Sequence, residues 1–279
     1  MKKLLIYGYG YTASHLTNYL DQSEYSIVGS TRNIKKLNND NNNIELIRDN
    51  EVSQFLIDES ISHLLISAPP SIDGDPFVNN HVNFLTQNKK LEWIGYLSAT
   101  NVYGDHEGNF VNELSQTNPT TKKGINRLKA EKQWLELSSR YNLPLKIFRL
   151  AGIYGQDRNI LKRINLGSIK NIDKPGQFFS RIHIEDIISI LSLSMKKQTP
   201  NIIYNFSDDY PSSLSQVIDY ICKIKNLPIL QKINFDKLDP LYKNESFFSE
   251  NKRVDNSLVK KDFQILLKYP SYKEGYKDL

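Results

Sequence analysis

Two glycines and an alanine near the start of the chain have the spacing of a turn that holds a phosphate group. Residues 3–16 read KLLIYGYGYTASHL, so that an apolar run enters a G-x-G-x-x-A turn and an amphipathic helix leaves it. In such a turn Gly8 permits the sharp bend, Gly10 lets backbone N–H groups approach a pyrophosphate, and Ala13 allows close packing of helix and strand. The pattern predicts a dinucleotide site, and a plain buried strand-to-helix turn is the alternative. The residues predicted to contact the cofactor here are Gly8, Gly10, Tyr11, Thr12 and Ala13.

Arg32 follows the second predicted strand, Tyr25–Thr31, at the end where a dinucleotide places its adenosine ribose. An acidic side chain there accepts hydrogen bonds from the ribose 2′-hydroxyl, whereas an arginine favours a 2′-phosphate. No acidic residue follows the strand before Lys35 and Lys36, which add positive charge. We therefore expect Arg32 and Asn33 to contact the cofactor and NADP(H) to be preferred over NAD(H). The alternative is a solvated basic loop.

Composition limits the classes of partner. The chain has 279 residues, 39% of them hydrophobic, which is enough for one large unit or a domain with a smaller lobe. The net charge of +5 is spread over short pairs, without the basic and aromatic block of a nucleic-acid groove. The single cysteine, Cys222, fits a reducing compartment. No apolar run is long enough for a membrane span or a signal peptide. These features predict a soluble cytoplasmic protein with a small-molecule ligand and neither a nucleic-acid nor a membrane partner.

Strands alternate with helices through the first half of the chain, which is typical of a parallel sheet covered on both faces. After the first apolar run, the predicted strands are Tyr25–Thr31, 44–47, 62–67, 93–98, Leu145–Leu150 and 202–206. The predicted helices beyond the first are 77–87, 120–141 and 184–195. The fold class is therefore predicted as α/β, a doubly wound NAD(P)-binding Rossmann fold with a smaller C-terminal substrate lobe.

The predicted domains follow from where this alternation loosens, beyond residue 155. Residues 1–155 are expected to form the dinucleotide-binding domain, rejoined by about 183–207. Residues 156–182 and 208–279 are expected to form the smaller lobe.

Three segments resemble motifs of the extended short-chain dehydrogenases/reductases, the NAD-dependent epimerase/dehydratase family. Residues 97–104 (LSATNVYG) resemble its S-[ST]-x-x-V-Y-G stretch, residues 149–155 (RLAGIYG) its strand into the substrate lobe, and residues 181–186 (RIHIED) its R-x-[FIV]-H-x-x-D segment. Residues 252–256 and 268–272 are similar to the endings of atypical bacterial members, which are labelled nucleoside-diphosphate-sugar epimerases. The resemblance implies a nucleotide-sugar-like or other anionic small molecule as ligand. A homodimer is consistent with these expectations.

The resemblance also implies a catalytic triad, and this chain departs from it. The family carries hydride chemistry with a Tyr and a Lys at Y-x-x-x-K and a hydroxyl at the end of the fifth strand. Anchoring that pattern on Ala130-Glu131 puts Lys123 at the tyrosine position and Arg127 at the lysine position, while Ala99 replaces the hydroxyl. An arginine does not exchange protons near neutral pH but binds ribose or phosphate. Lys123 acts as acid or base only if burial or neighbouring cations lower its pKa strongly, and a surface lysine is the alternative.

The remaining candidates follow from the same family positions. Beside the first turn and Arg32, the predicted cofactor contacts are Ser67, Ala68, Ser98 and Arg127. The predicted substrate contacts are Thr100, Tyr103, Arg158, Arg181 and Arg253, with Lys252 beside the last of these. Arg158 is an anion-binding candidate, whereas Arg181 reaches a substrate phosphate or braces the lobe. No metal site is predicted.

Two functions remain open on the sequence. The first is an NADP(H)-dependent oxidoreductase or epimerase that acts on a nucleotide-sugar-like substrate with Lys123 as a non-standard acid or base. The second is a catalytically silent NADP(H)-binding sensor or scaffold. The absence of the standard triad favours the second, whereas the arginines of the substrate lobe favour the first.

Overall fold

A computed structural model describes residues 1–33, 44–58, 60–238 and 248–279 of the chain. The backbone clusters into two compact units, each assembled from separate segments. The first unit contains Met1–Ala99, Ile125–Arg149 and Ile188–Tyr204. The second unit contains Thr100–Gly124, Leu150–Ile187 and Asn205–Leu279.

The strands and helices of the described residues are numbered here in chain order. The strands are β1 Lys2–Tyr7, β2 Tyr25–Thr31, β3 Ile44–Arg48, β4 His63–Ile66, β5 Trp93–Ala99, β6 Phe110–Val111, β7 Leu145–Leu150, β8 Gly152–Tyr154, β9 Asn171–Asp173, β10 Arg181–His183, β11 Ile203–Phe206, β12 Lys232–Asn234 and β13 Arg253–Val254. The helices are α1 Tyr11–Tyr19, α2 Val52–Asp58, α3 Pro76–Gln87, α4 Lys122–Tyr141, α5 Ile160–Asn165, α6 Ile184–Ser194, α7 Leu214–Ile224, α8 Ser257–Phe263 and α9 Tyr272–Asp278.

The central sheet has seven parallel strands in the order β11–β7–β5–β4–β1–β2–β3. Its inner strands are apolar and buried almost throughout, which a sheet needs when helices cover both faces. The strand order reverses between β1 and β4, where Ile6 pairs with Gly29 on one side and Leu65 on the other. Ligands of doubly wound sheets bind outside the carboxyl ends of the strands at such a reversal. The predicted α/β fold with a doubly wound parallel sheet is confirmed.

Helix α4 shows how the sequence builds the core of the first unit. Ala130 and Trp134 recur at helical spacing and are fully buried, and Trp134 packs on Tyr96 of β5 with ring centroids 6.2 Å apart. An aromatic side chain buried in this way contributes roughly 3–5 kcal/mol relative to alanine. Because Ala130 and Trp134 anchor α4 in the core, the helix holds in place the side chains that it directs toward the end of β5.

The second unit has its own apolar clusters. One cluster packs Tyr154, Val217 and Ile221 against Tyr272 and Tyr276, and another surrounds Ile218 and Phe248. Short parallel pairs, β8 with β10 and β6 with β13, connect distant segments of this unit. The packing brings residues of the predicted substrate motifs together.

No helix within the described ranges is both long and apolar enough to cross a membrane.

Candidate cofactor turn and ligand cavity

Gly8 is a position where this turn requires a glycine for structural reasons. Its φ is +93°, and a Cβ atom placed there would lie 2.5 Å from the backbone nitrogen of Ala68. The N–H groups of Ser67 and Ala68 both donate to the carbonyl of Tyr7 at 2.9 Å. The structure therefore brings Gly8, Ser67 and Ala68 together at the reversal between β1 and β4.

Gly10 is different, because its missing side chain faces open space. A Cβ atom at this position would have one heavy atom within 4 Å, the carbonyl oxygen of Gly8 at 3.9 Å. Gly10 is also the N-cap of α1, and its carbonyl accepts the first helical hydrogen bond from Ser14 at 3.0 Å. The N–H groups of residues 11–13 precede that bond, as in any helix start. This cradle of backbone beside a glycine fits a pyrophosphate group.

Arg32 lies immediately after β2, with 81% of its side chain exposed. Its Nε atom is 3.8 Å from Oδ2 of Asp49, the residue that follows β3. A pair of this length with one partner exposed contributes little to stability, so Arg32 is available to another anion. The neighbouring Asn33 donates its backbone N–H to Thr31 Oγ1 at 3.1 Å. Asp49 was missed by sequence reasoning, although an acidic residue directly after a strand was a visible signal.

Lys35 and Lys36, which the sequence predicts to add positive charge beside Arg32, lie outside the described residues.

The family segments around Glu131 meet in a buried ion pair. Arg149 donates to Glu131 over 2.7 Å, with 4% and 1% of the two side chains exposed. The hydroxyl of Ser98 donates to the same carboxylate. A buried pair of this kind fixes geometry, and removing one partner is costly because the other charge remains buried. Glu131 and Arg149 are thus packing groups, and the Ser98 hydroxyl is bound to them.

Arg127 points toward β5, whereas Lys123 is exposed. The guanidinium of Arg127 donates to the carbonyl of Leu97 and lies 6.0 Å from the centre of the Tyr96 ring. Lys123 makes no hydrogen bond or ion pair with the part of the chain that the structure describes. Arg127 therefore has a defined place in the first unit, and Lys123 has a solvated ammonium group.

The tyrosines that could replace the missing acid or base are buried. Tyr96 is fully buried, and burial raises the pKa of its hydroxyl far above the ordinary value. Burial likewise raises the pKa of Tyr154, whose hydroxyl donates to Ser271 O at 3.3 Å. Tyr103 is fully buried and donates to Asn205 Oδ1 at 2.7 Å. Tyr96 and Tyr154 are thus unsuited to proton exchange near neutral pH, and the Tyr103 hydroxyl is bound to Asn205.

The second unit contains a cavity of about 410 Å³. Of the predicted substrate contacts, Thr100, Arg158 and Arg181 line it, whereas Tyr103 and Arg253 are not among its lining residues. The charged side chains in the wall are Arg158, Arg163, Arg181, Lys252 and Glu250. Four positive charges against one negative charge favour an anionic ligand. Aromatic side chains in the same wall provide surface for a planar or apolar part of that ligand.

The cations of the cavity differ in exposure. Arg181 is buried and donates through one nitrogen to Ser212 Oγ at 2.8 Å and to Phe179 O at 2.9 Å. Lys252 donates to Glu250 and to Gly104 O, each at 2.8 Å. Arg158 and Arg163 are exposed. The exposed pair is therefore the part of the wall most able to meet an incoming anion.

Arg253 has a different environment from these four cations. Its guanidinium carbon lies 4.5 Å from the centre of the Phe110 ring and 5.0 Å from that of Phe178, and its Nε donates to Gly108 O at 2.7 Å. Since Phe178 lines the cavity, Arg253 supports one side of its wall.

Comparison with known proteins identifies the family. The model of the NAD dependent epimerase/dehydratase family matches residues 4–206, and the chain belongs to this family. Comparison with curated protein sequences gives no match. The predicted family resemblance is confirmed.

Solved structures similar to this chain span its whole length. A functionally unknown conserved protein from Silicibacter pomeroyi is 38% identical, with a TM-score of 0.88 over 99% of this chain and 97% of that chain. The UDP-glucuronic acid 4-epimerase of Bacillus cereus, solved with NAD, is 20% identical, with a TM-score of 0.74 over 99% and 96%. The dTDP-glucose 4,6-dehydratase of Bacillus anthracis, also solved with NAD, is 16% identical, with a TM-score of 0.78 over 100% and 95%. At such identities the last two likenesses concern the fold.

Proposed function

We propose that this protein binds NADP(H) in its first unit and a nucleotide-sugar-like or other anionic small molecule in the cavity of its second unit. The observation that carries the proposal is the cavity wall, with four cationic side chains against one carboxylate. Family membership supports a dinucleotide cofactor, and the similar UDP-glucuronic acid 4-epimerase was solved with UDP-glucuronic acid and NAD. A cytoplasmic location and a homodimer remain hypotheses within the same proposal.

The cofactor proposal depends on the turn around Gly10. A pyrophosphate needs backbone N–H groups and space without a Cβ atom, and the start of α1 offers both. Arg32 then meets the 2′-phosphate of NADP(H), and Arg127 meets the nicotinamide ribose as a hydrogen-bond donor. When bound, the cofactor supplies a hydride acceptor or donor.

The ligand proposal depends on Arg158 and Arg163. Both are exposed in the cavity wall, and a guanidinium binds phosphate or carboxylate oxygens with two parallel hydrogen bonds. Thr100, which lies directly after β5, adds a hydroxyl to the same wall. Arg158, Arg163 and Thr100 thus bind the anionic part of the ligand. The aromatic side chains of the cavity wall determine which ligands are preferred.

A catalytically silent NADP(H)-binding sensor or scaffold is the second candidate. The observation that favours it is the state of the triad positions, where Ala99 lacks a hydroxyl, Lys123 is exposed and Arg127 is bound to a backbone carbonyl. Binding without turnover is the result that this candidate predicts.

Titration of the purified protein with NADPH and NADH, followed by assays with UDP-sugars, tests both candidates. Binding of NADPH or NADH together with conversion of a UDP-sugar, followed by separation of the sugar products as well as by reduced-nicotinamide absorbance, supports the enzyme. Binding of both ligands without turnover supports the silent protein. Absence of NADPH binding contradicts both.

Two variants one helical turn apart locate the role of Arg127. Arg127→Ala is expected to weaken NADPH binding by roughly 1–3 kcal/mol, the range for losing a charge-assisted hydrogen bond. Lys123→Ala is the matched control and is expected to leave NADPH affinity unchanged. Loss of turnover in Lys123→Ala, with NADPH still bound, would make lysine the acid or base in place of tyrosine.

A further inference from the structure

One ion pair in the cavity wall is nearly buried, and the proposed function assigns it no contact with the ligand. Glu250 and Lys252 both line the cavity, with 8% and 10% of their side chains exposed. Oε2 of Glu250 lies 2.8 Å from Nζ of Lys252. Because the two charges balance, the pair adds no net charge to the wall. What it offers a ligand is therefore hydrogen bonds.

Both members of the pair have hydrogen-bonding capacity left. An ammonium group has three N–H donors, and each carboxylate oxygen has two acceptor positions. Lys252 donates to Glu250 and to Gly104 O, and it has no third acceptor among the described residues. On the carboxylate, Oε1 makes one long contact, to the Thr121 hydroxyl at 3.5 Å. The pair thus places a donor and an acceptor side by side in the wall of the cavity.

The chain around the pair is held by other contacts. The backbone carbonyl of Glu250 accepts from Gln177 Nε2 at 2.8 Å, and the N–H of Asn251 donates to Asp105 Oδ1 at 2.8 Å. Strand β13, which follows directly after the pair, is aligned with β6. A buried ion pair contributes little net stability, because loss of hydration offsets the attraction of the charges. Stability therefore does not account for this pair at a cavity wall.

The pair also differs in chemistry from the exposed arginines of the same wall. Arg158 and Arg163 present guanidinium groups, which suit the oxygens of a phosphate or carboxylate. A hydroxyl group both donates and accepts, so it is able to donate to Glu250 and to accept from Lys252. A phosphate oxygen only accepts, and the charge of Glu250 repels it. The pair is thus suited to a neutral, hydroxyl-bearing part of the ligand.

We propose that Glu250 and Lys252 act together as a specificity-determining pair, which binds hydroxyl groups in the neutral part of the ligand and does not bind its anionic part. This inference rests on the proposed ligand function of the cavity. The preference among ligands then depends on this pair as well as on the aromatic side chains of the wall. A site that hydrogen-bonds a hydroxyl group discriminates strongly against analogues that lack it.

Titration with UDP, UDP-glucose and UDP-galactose separates hydroxyl binding from anion binding. Glu250→Gln is expected to weaken binding of the tighter UDP-hexose about 5- to 20-fold, because a charged acceptor is replaced by a neutral amide. The same variant is expected to change UDP affinity less than about 2-fold. Glu185→Gln is the matched control, since Glu185 pairs with Lys268 at 2.6 Å in the same unit but outside the cavity wall. It is expected to leave both affinities unchanged.

The remaining outcomes would overturn the proposal or the function on which it rests. Equal losses of UDP and UDP-hexose affinity in Glu250→Gln would show a structural role, and an unchanged UDP-hexose affinity would show no role. A wild type that binds UDP but neither UDP-hexose would also overturn the proposal. Wild-type protein that binds none of the three probes contradicts the proposed function instead.

A second variant covers the case in which Glu250→Gln does not fold. The double variant Glu250→Gln with Lys252→Met leaves no unpaired buried charge, and the same selective loss of UDP-hexose affinity is expected from it. Failure of both variants to fold would show that the pair is structural and would overturn the proposal.

Discussion

Charged side chains are used in opposite ways at the end of β5 in the first unit and in the cavity of the second unit. In the first unit Glu131 binds Arg149 and Ser98, and Arg127 donates to a backbone carbonyl. In the cavity, Arg158 and Arg163 are exposed in a wall that carries an excess of positive charge. Buried, paired charges set geometry, whereas exposed cations in a wall with an excess of positive charge favour an anionic ligand.

The difference separates binding from proton transfer in this chain. Groups suited to anions are present in both units, at the turn around Gly10 and in the cavity. The positions where the family carries its tyrosine acid/base, its lysine and its hydroxyl hold an exposed lysine, an arginine and an alanine, at residues 123, 127 and 99. We therefore expect substitutions that affect binding to have much larger effects than those that remove a titratable group.

The largest effect is expected from Gly10→Val. The new side chain enters open space in the folded protein, and it occupies the volume where backbone and pyrophosphate meet. Dinucleotide binding is expected to fall by at least about 100-fold with little change in the thermal midpoint. Calorimetric titration with a thermal melt measures both quantities.

Gly8→Val is the contrasting control for this experiment. Because of the positive φ and the close backbone of Ala68, it is expected to lower stability as well as binding. Normal NADPH affinity in Gly10→Val would mean that the turn is only structural and does not bind the cofactor.

The double variant Arg158→Ala with Arg163→Ala tests the cavity side. Loss of two exposed guanidinium groups is expected to weaken binding of UDP about 10- to 100-fold and to leave NADPH affinity unchanged. Lys162→Ala is the matched control, because Lys162 lies on the same helix but pairs with Asp157 at 3.5 Å outside the cavity wall. Unaltered UDP affinity in the double variant would show that Arg158 and Arg163 do not bind the ligand.

A smaller effect is expected from Arg32→Ala, which tests cofactor choice. Wild-type protein is expected to bind NADPH at least about tenfold more tightly than NADH, equivalent to about 1.4 kcal/mol, because Arg32 is exposed and only weakly paired. Arg32→Ala is expected to remove most of that preference. Arg48→Ala, another exposed arginine at a strand end, serves as the control. Equal affinities of the wild type for both cofactors would contradict the prediction.

The smallest effect is a pH dependence confined to the first unit. His63 is fully buried, with Nε2 3.2 Å from Met195 O and Nδ1 3.0 Å from Ser62 Oγ, and burial lowers its pKa from 6.5. Below about pH 6.5 the unfolded chain therefore binds a proton at His63 more readily than the folded protein does. Stability is therefore complete above about pH 6.5 and falls as the pH decreases, by at most about 1.4 kcal/mol per pH unit.

Tryptophan fluorescence measures this slope in the first unit, because both tryptophans, Trp93 and Trp134, belong to it. Urea unfolding between pH 5 and 7.5 is expected to show a shallower slope for His63→Gln than for the wild type. The pKa of His81 is also lowered by burial, so a residual slope is expected in the variant. Identical slopes would show that His63 is not the titrating group.

Much of the fold follows from local sequence patterns. The strands Tyr25–Thr31 and Leu145–Leu150 have the predicted bounds, because short apolar runs between polar turns are a local signal. The Gly8–Gly10 turn was visible for the same reason, since its glycines are neighbours in the chain. The short helix Val52–Asp58 was not predicted, because about two turns of helix carry little periodicity.

The sequence by itself determined the family, the parallel α/β sheet and the substitutions at the triad positions, because each is written in contiguous residues. Tertiary structure decided which of those residues share a site. The cavity wall takes Thr100, Arg158, Arg181 and Lys252 from four distant segments and adds Arg163 and Glu250, which no motif indicated. It likewise decided that Glu131 is paired with Arg149 and also accepts the Ser98 hydroxyl. Distances between segments depend on how helices and strands pack, and no local pattern contains that information.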